Sequence, residues 1–303
     1  MAIVFEERER LLKLASAASV AVAASLIIIK ILAFWITGSV SVMASLLDSL
    51  LDVVASLINL WAIRVALTPA DKKHPFGHGK AEALAGLGQA TFIAGSALFL
   101  IFQAIRRLQN PEEVIAIDIG IVVMSISIVV TGFLIAFQRH VIQKTNSVAI
   151  RADSMHYLTD LLTNSMVIVA LFMVSWGFVW MDSIMAAAMA IYIFYSAWQI
   201  ISESIQLLLD RELSEEIQQS IRDKVLEDKS ILAIHELKTR ESGHTQFIQI
   251  HLEMDGKLTL YQAHIISDRV MAALRKQFPA ADILIHQDPF NDAADEEFRT
   301  VRE

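Results

Sequence analysis

Six long apolar stretches, at about residues 12–37, 39–67, 81–105, 114–138, 147–175 and 179–209, constrain this chain more than any other feature. A helix rises 1.5 Å per residue, so about 20 apolar residues cross a bilayer, and all six stretches are long enough. Composition agrees: 55% of the 303 residues are hydrophobic and the mean hydropathy is +0.51, too apolar for a soluble protein of this size. Turn and charged residues separate the stretches: Thr37-Gly38, the polar run Pro69 to Lys80, Arg106 to Glu113, Gln138 to Asn146, and Trp176-Gly177. An even number of spans puts both termini on one side. With the N-terminus inside, the inner loops carry Arg64, Lys72, Lys73, Lys80, Arg139, Lys144 and Arg151, against Arg106 and Arg107 outside. Arg8, Arg10 and Lys13 add to the inner side, so both termini are expected in the cytoplasm. Trp35, Trp61, Trp176, Trp180 and Trp198 lie near span ends, as interfacial anchors would. Met1 to Arg10 is charged, which argues against a cleavable signal peptide.

Carboxylates interrupt this apolar pattern where they cost most. The run Ser45-Leu-Leu-Asp-Ser-Leu-Leu-Asp52 puts Asp48 and Asp52 one turn apart on one helix face, near the middle of a span. Each carboxylate at bilayer depth costs roughly 2.5–3.5 kcal/mol. Two of them repel if both are ionised, and a bound cation is the simplest compensation. The fifth stretch offers a matching pair, His156 and Asp160, again at i, i+4. Two helices with two ligands each can build a four-ligand cage, and three carboxylates with one imidazole suit Zn2+ and its neighbours. The alternative is that these are polar residues at helix interfaces, satisfied by Ser and Thr. Two matched pairs in two spans favour a site. The chain has no cysteine, which excludes disulfides and thiolate metal sites.

After Leu209 the apolar density falls and a soluble domain begins. It holds 19 Asp and Glu against 12 Lys and Arg, most of the net charge of −8, which argues against nucleic-acid binding and is compatible with cations. The pattern predicts a helix capped by Ser214, with Ile217, Ile221 and Val225 on one face. A strand over Ile231 to Arg240 follows, then a turn at Glu241 to His244. The next strand, Thr245 to Met254, turns Ile248, Ile250, Leu252 and Met254 to one side. Thr259 and Gln262 form a capping box for a helix to Phe278, buried along Ile266, Val270, Leu274 and Phe278, and Ala281 to Gln287 is the last strand. The order α-β-β-α-β predicts a small sheet with helices on one side, a ferredoxin-like or metallochaperone-like α+β domain. The expected organisation is a cytoplasmic segment 1–11, a six-helix transmembrane domain 12–209, a cytoplasmic domain 210–290 and an acidic tail 291–303.

Other clusters are weaker. Asp71, His74 and His78 stand within eight residues, and Pro75 and Gly77 let the loop fold tightly enough to converge them. Spacing alone leaves a weak metal site and a plain hydrated loop both open. The soluble domain holds His235, His251, His264 and His286 with Asp288, which could gather at one sheet edge. His244 in a turn and His140 in a basic loop read as bystanders, and Asp118 and Asp182 as hydrated groups at outer span ends. Lys80 and Asp210 both fall at the cytoplasmic surface, where a charge pair could form, but spacing cannot pair them.

Together these residues resemble the cation diffusion facilitator family, in particular its bacterial zinc and ferrous-iron efflux members. The likeness covers nearly the whole chain and rests on four runs: Ser45 to Asp52, Pro69-Ala-Asp-Lys-Lys-His-Pro-Phe-Gly-His-Gly-Lys-Ala-Glu82, Ala152-Asp-Ser-Met-His-Tyr-Leu-Thr-Asp160, and Ile285-His-Gln-Asp-Pro289. The resemblance implies a transport site at Asp48, Asp52, His156 and Asp160 and a loop site at Asp71, His74 and His78. It also implies a binuclear cytoplasmic site at His235, His251, His264, His286 and Asp288, with Gln287 close by. Lys80 and Asp210 would form charge pairs locking a homodimer. The implied activity is Zn2+/H+ antiport, with Cd2+ and Fe2+ as further substrates, out of the cytoplasm across the bacterial inner membrane and regulated by metal on the cytoplasmic domain. No organic cofactor and no enzyme are implied. The rival reading is a metal-responsive membrane sensor without transport, against which no output domain is visible. An intramembrane metalloprotease would need a base beside its metal, and the chain has no His-Glu-x-x-His run.

Overall fold

The computed structural model describes residues 2–37, 40–109, 118–175 and 181–290. Gly38, Ser39, residues 110–117, residues 176–180 with Trp176 and Trp180, and those after 290 lie outside the described residues, as do the side chains of Asp48, Asp118 and Asp182. The chain divides into two compact units, one over Ala2–Leu208 and one beginning at Leu209.

The first unit is six helices: α1 Ala2–Thr37, α2 Val40–Ala66, α3 Lys80–Gln109, α4 Asp118–Thr145, α5 Val148–Ser175 and α6 Met181–Leu208. Helix α1 starts ten residues before the apolar stretch and α4 runs seven residues beyond it. Both extensions carry the ion pairs of one bundle end: Lys144 on Glu7 at 3.1 Å, and Arg8 near Glu82 at 3.7 Å. Lipid selects the apolar spans, but helix continues into the polar zone wherever side chains find partners.

Within their described residues, five of the six helices carry a stretch long and apolar enough to cross a membrane. Helix α5, 28 residues long, carries Arg151, Asp153 and Asp160 in its first half, while residues 166–174 are wholly apolar in sequence. The structure shows how those charges are accommodated: α5 touches α1, α2, α3, α4 and α6, every other helix of the unit. Its first turns are nearly sealed, with Ala149, Ile150, Ala152 and Asp153 at 0% exposure and Tyr157 at 1%. Elsewhere small side chains set the distance. Ala90, Ala94 and Ala97 on α3 pack with Ile193 and Ala197 on α6 in one core, the close approach that drives helix association where water is absent. The outward faces stay apolar, for example Phe133 and Trp61, as lipid requires. Asn146 turns α4 into α5 with φ 50°, a left-handed conformation that asparagine tolerates.

The second unit is α7 Glu215–Leu226, β1 Ala233–Ser242, β2 Thr245–Asp255, α8 Leu260–Gln277 and β3 Ala281–Phe290, the α-β-β-α-β order read from the sequence. The sheet order is β1-β2-β3, with β1 antiparallel and β3 parallel to β2. Ile248, Ile250, Leu252 and Met254 of β2 are buried against Ile221 and Val225 of α7 and Ile266, Val270 and Leu274 of α8. The Thr259–Gln262 capping box is present. Ser214 is the N-cap of α7 but its side chain makes no capping bond; Glu215 and Glu216 in the first turn complement the helix dipole instead. The β1–β2 turn is Gly243-His244, with Gly243 at φ 63°, so β1 runs two residues further than Arg240.

Candidate metal sites

Helices α2 and α5 carry the first cluster. His156 Nε2 lies 3.1 Å from Asp52 Oδ1 and 3.8 Å from Asp160 Oδ2. One ligand atom from each of the three residues falls within 4.8 Å of the others, close enough to share a cation. The i, i+4 spacing puts His156 and Asp160 on one face of α5, and that face meets the Asp52 face of α2. Asp48 stands one turn before Asp52 on α2. The cluster lines a cavity of about 570 Å³ between α2, α3 and α5, whose other walls include Phe92, Ser96 and Thr159. That is far larger than a bare cation. His156 is buried at 8% exposure, while Asp52 and Asp160 are half-buried and open to the cavity.

The loop between α2 and α3 builds the second cluster. Asp71 Oδ1 accepts backbone N–H bonds from Lys73 at 2.8 Å and His74 at 2.6 Å, which folds the loop back on itself. Gly77, at φ 81°, lets its N–H reach the His74 carbonyl at 3.0 Å. His74 Nδ1 and His78 Nε2 then lie 3.0 Å apart, and 3.3 and 3.5 Å from the Asp71 carboxylate. The backbone bond from His74, with that from Lys73 and the nearby imidazoles, outweighs the opposing desolvation and holds the Asp71 carboxyl below its usual 3.8. Asp71 is therefore an acceptor ready for a cation at any physiological pH.

Strand register builds the third. His235 on β1 pairs with His251 on β2, which pairs with His286 on β3, so three imidazoles stand in a row across the sheet. Their rings lie 5.2 and 4.5 Å apart. Asp288 Oδ2 sits 2.9 Å from His235 Nε2 and 2.8 Å from His251 Nδ1, and its Oδ1 lies 3.2 Å from His286. Burial would raise the Asp288 carboxyl, but hydrogen bonds from His251 and His235 and the charge of His286 outweigh it and hold it below 3.8. Immediately after His235, Glu236 takes φ 46° and the register shifts before Lys238, so a bulge re-aims this end of β1.

The chain matches the cation efflux transmembrane domain over residues 16–209 and the cytoplasmic domain of cation efflux proteins over 213–290. It is 49% identical over 280 residues to the cation-efflux pump FieF of Klebsiella pneumoniae subsp. pneumoniae, covering 92% of this chain and 93% of that one. The FieF of Pectobacterium atrosepticum is likewise 49% identical over 281 residues, with the same coverage. This chain belongs to the cation diffusion facilitator family. A solved structure of CzrB in a Zn form matches 27% of this chain and 96% of that chain at 32% identity, with a TM-score of 0.26.

A cation diffusion facilitator is a membrane transporter that moves metal cations outward, and it is not an enzyme. Within that frame, the structure gathers most of the residues read from the sequence but not all. His264 is not brought into the sheet cluster: it is exposed on α8, with Asp268 at 3.5 Å. Among their contacts, Asp210 makes an ion pair with Arg240 at 3.2 Å and Lys80 donates to the Leu208 carbonyl at 3.2 Å. Glu253 was not anticipated; it reaches His235 Nδ1 at 3.1 Å. Its place on the polar face of β2, two residues after His251, was the available signal.

Proposed function

We propose that the chain exports Zn2+ from the cytoplasm in exchange for H+, with Asp52, His156 and Asp160 as the transport site and Asp48 as the fourth ligand. The observation that carries this reading is three ligand atoms within 4.8 Å at the wall of a cavity inside the helical unit. Two i, i+4 pairs on facing helices offer a tetrahedral oxygen and nitrogen set without thiolates, which suits Zn2+, Cd2+ and Fe2+. The imidazole accounts for the exchange: it must be neutral to ligate and ordinarily titrates near neutral pH, so an arriving proton competes with the metal. Alternating access then carries the site from one side to the other. The inner membrane, cytoplasmic termini and a homodimer follow from the Lys and Arg asymmetry of the loops and from likeness to the family's cytoplasmic domain. The loop cluster and the sheet cluster are regulatory metal sites, the latter holding metal on His235, His251, His286 and Asp288. Lys80 and Asp210 contribute to the protomer contact.

Zn2+ flux into proteoliposomes, with and without a pH gradient, tests the proposal. Flux should accelerate when protons can flow the opposite way and vanish in Asp52→Ala and His156→Ala. Flux indifferent to the gradient removes the antiport, and flux unchanged in both variants removes the site. The sensor reading has no support from the comparisons, which place efflux transporters beside this chain.

A further inference from the structure

Helix α5 carries one more acid than the metal cluster uses. Asp153 stands one turn before His156 and is wholly buried. Its Oδ2 accepts from Ser19 Oγ on α1 at 2.5 Å and from Gln138 Nε2 on α4 at 2.7 Å, and its Oδ1 accepts from Gln89 Nε2 on α3 at 3.2 Å. Gln138 Nε2 also donates to Ser19 Oγ at 3.0 Å. One carboxylate therefore ties α5 to three other helices. Both amides turn their N–H groups to it, and among the described residues their own Oε1 atoms find no partner. No ion pair reaches Asp153 among the described residues.

The second tie lies just beyond His156. Tyr157 donates its hydroxyl hydrogen to the Ser19 carbonyl at 3.0 Å, and its oxygen accepts from Ser56 Oγ on α2 at 2.8 Å. Ser56 is one turn after Asp52. His156 is thus bracketed along α5 by two residues whose hydrogen bonds reach α1, α2, α3 and α4. A carboxylate is an expensive way to hold helices together in lipid, where leucine packs without a desolvation cost. What it adds is direction. A helix residue turns 100° and rises 1.5 Å, so a slip of one residue carries the His156 ring off the cavity.

We propose that Asp153 is a positioning residue which, with Tyr157, fixes the rotation and height of α5 so that His156 Nε2 meets Asp52 across the cavity. This rests on the reading of Asp52, His156 and Asp160 as the transport site.

The test is Zn2+ flux by the full chain in proteoliposomes, resolved into half-saturating concentration and maximal flux, beside thermal unfolding of the same preparations. Tyr157→Phe and Asp153→Asn should each raise the half-saturating Zn2+ concentration by about 10-fold while the folded protein keeps most of its maximal flux. Asp153→Leu should raise it further; if that variant does not fold, the two conservative ones decide. A purely gluing role predicts a lower unfolding temperature with an unmoved half-saturation, and that result overturns the proposal. His156→Ala separates the two readings. Wild-type flux there sinks the site assignment and this inference together. Lost flux there, with unmoved half-saturation in Tyr157→Phe and Asp153→Asn, sinks only the positioning role.

Discussion

The helical unit and the sheet unit both gather imidazoles and carboxylates, but by opposite means. In the bundle, His156 and Asp160 stand at i, i+4 on α5 and meet Asp52 of α2 at a cavity, with His156 buried and Asp52 and Asp160 opening onto it. In the sheet, His235, His251 and His286 come from three strands at one register and converge on Asp288 in a half-exposed patch. A cavity in a low-dielectric bundle makes unpaired charge costly, which is the physical ground for the proposed exchange of one cation for another. A sheet edge open to water tolerates being empty, which suits a site that fills only when metal is abundant. The contrast fits the proposed division, with cargo at the first site and sensing at the second.

The sharpest way to break that assignment is Asp52→Ala. Zn2+ flux should fall by more than about 100-fold, since even outer-shell changes around a metal cost about 10–100-fold; metal bound by the sheet cluster, counted by equilibrium dialysis of the same full-length variant, should not change. Next in size is Asp288→Asn in that background. It removes the carboxylate that three imidazoles share, and metal affinity should drop at least about 10-fold. Equal flux losses from Asp52→Ala and from Asp288→Asn in the wild-type chain would erase the distinction. Packing in the bundle is tested by Gly86→Ala. A Cβ there meets Val148 Cγ1 at 2.8 Å and Ser204 Oγ at 3.2 Å, where α3, α5 and α6 converge. Overpacking should cost about 1–3 kcal/mol, read as a lower unfolding temperature of the helical unit alone.

The smallest effect belongs to the sheet unit. Burial would raise the Asp228 carboxyl, but the Ser230 N–H and hydroxyl and the Arg269 guanidinium outweigh it and hold it below 3.8. A carboxyl depressed in the folded state stabilises above its unfolded pKa, and that contribution is lost as pH falls through the folded one. Asp228→Asn should therefore cost less than about 1 kcal/mol at neutral pH, because the pair is exposed, and nothing in strong acid. Thermal unfolding as a function of pH checks the sign.

Periodicity alone carried much of this protein. The apolar stretches, the acidic and imidazole pairs at i, i+4, the alternation in β2 and the Thr259–Gln262 capping box are local patterns, and helix and strand geometry fix their faces wherever they fold. The sequence could not show which helix would be wrapped by the rest. Helix α5 reads as one more span, and only the packing of five neighbours around it explains how Arg151, Asp153 and Asp160 are accommodated. Nor could spacing say that His235, His251 and His286 share one register while His264 points elsewhere, because strand pairing depends on a bulge at Glu236 and on a core assembled from residues far apart in the chain. Local chemistry decides what each segment offers; which offers meet is decided by tertiary contacts, because those alone bring distant ligands to within a few ångströms.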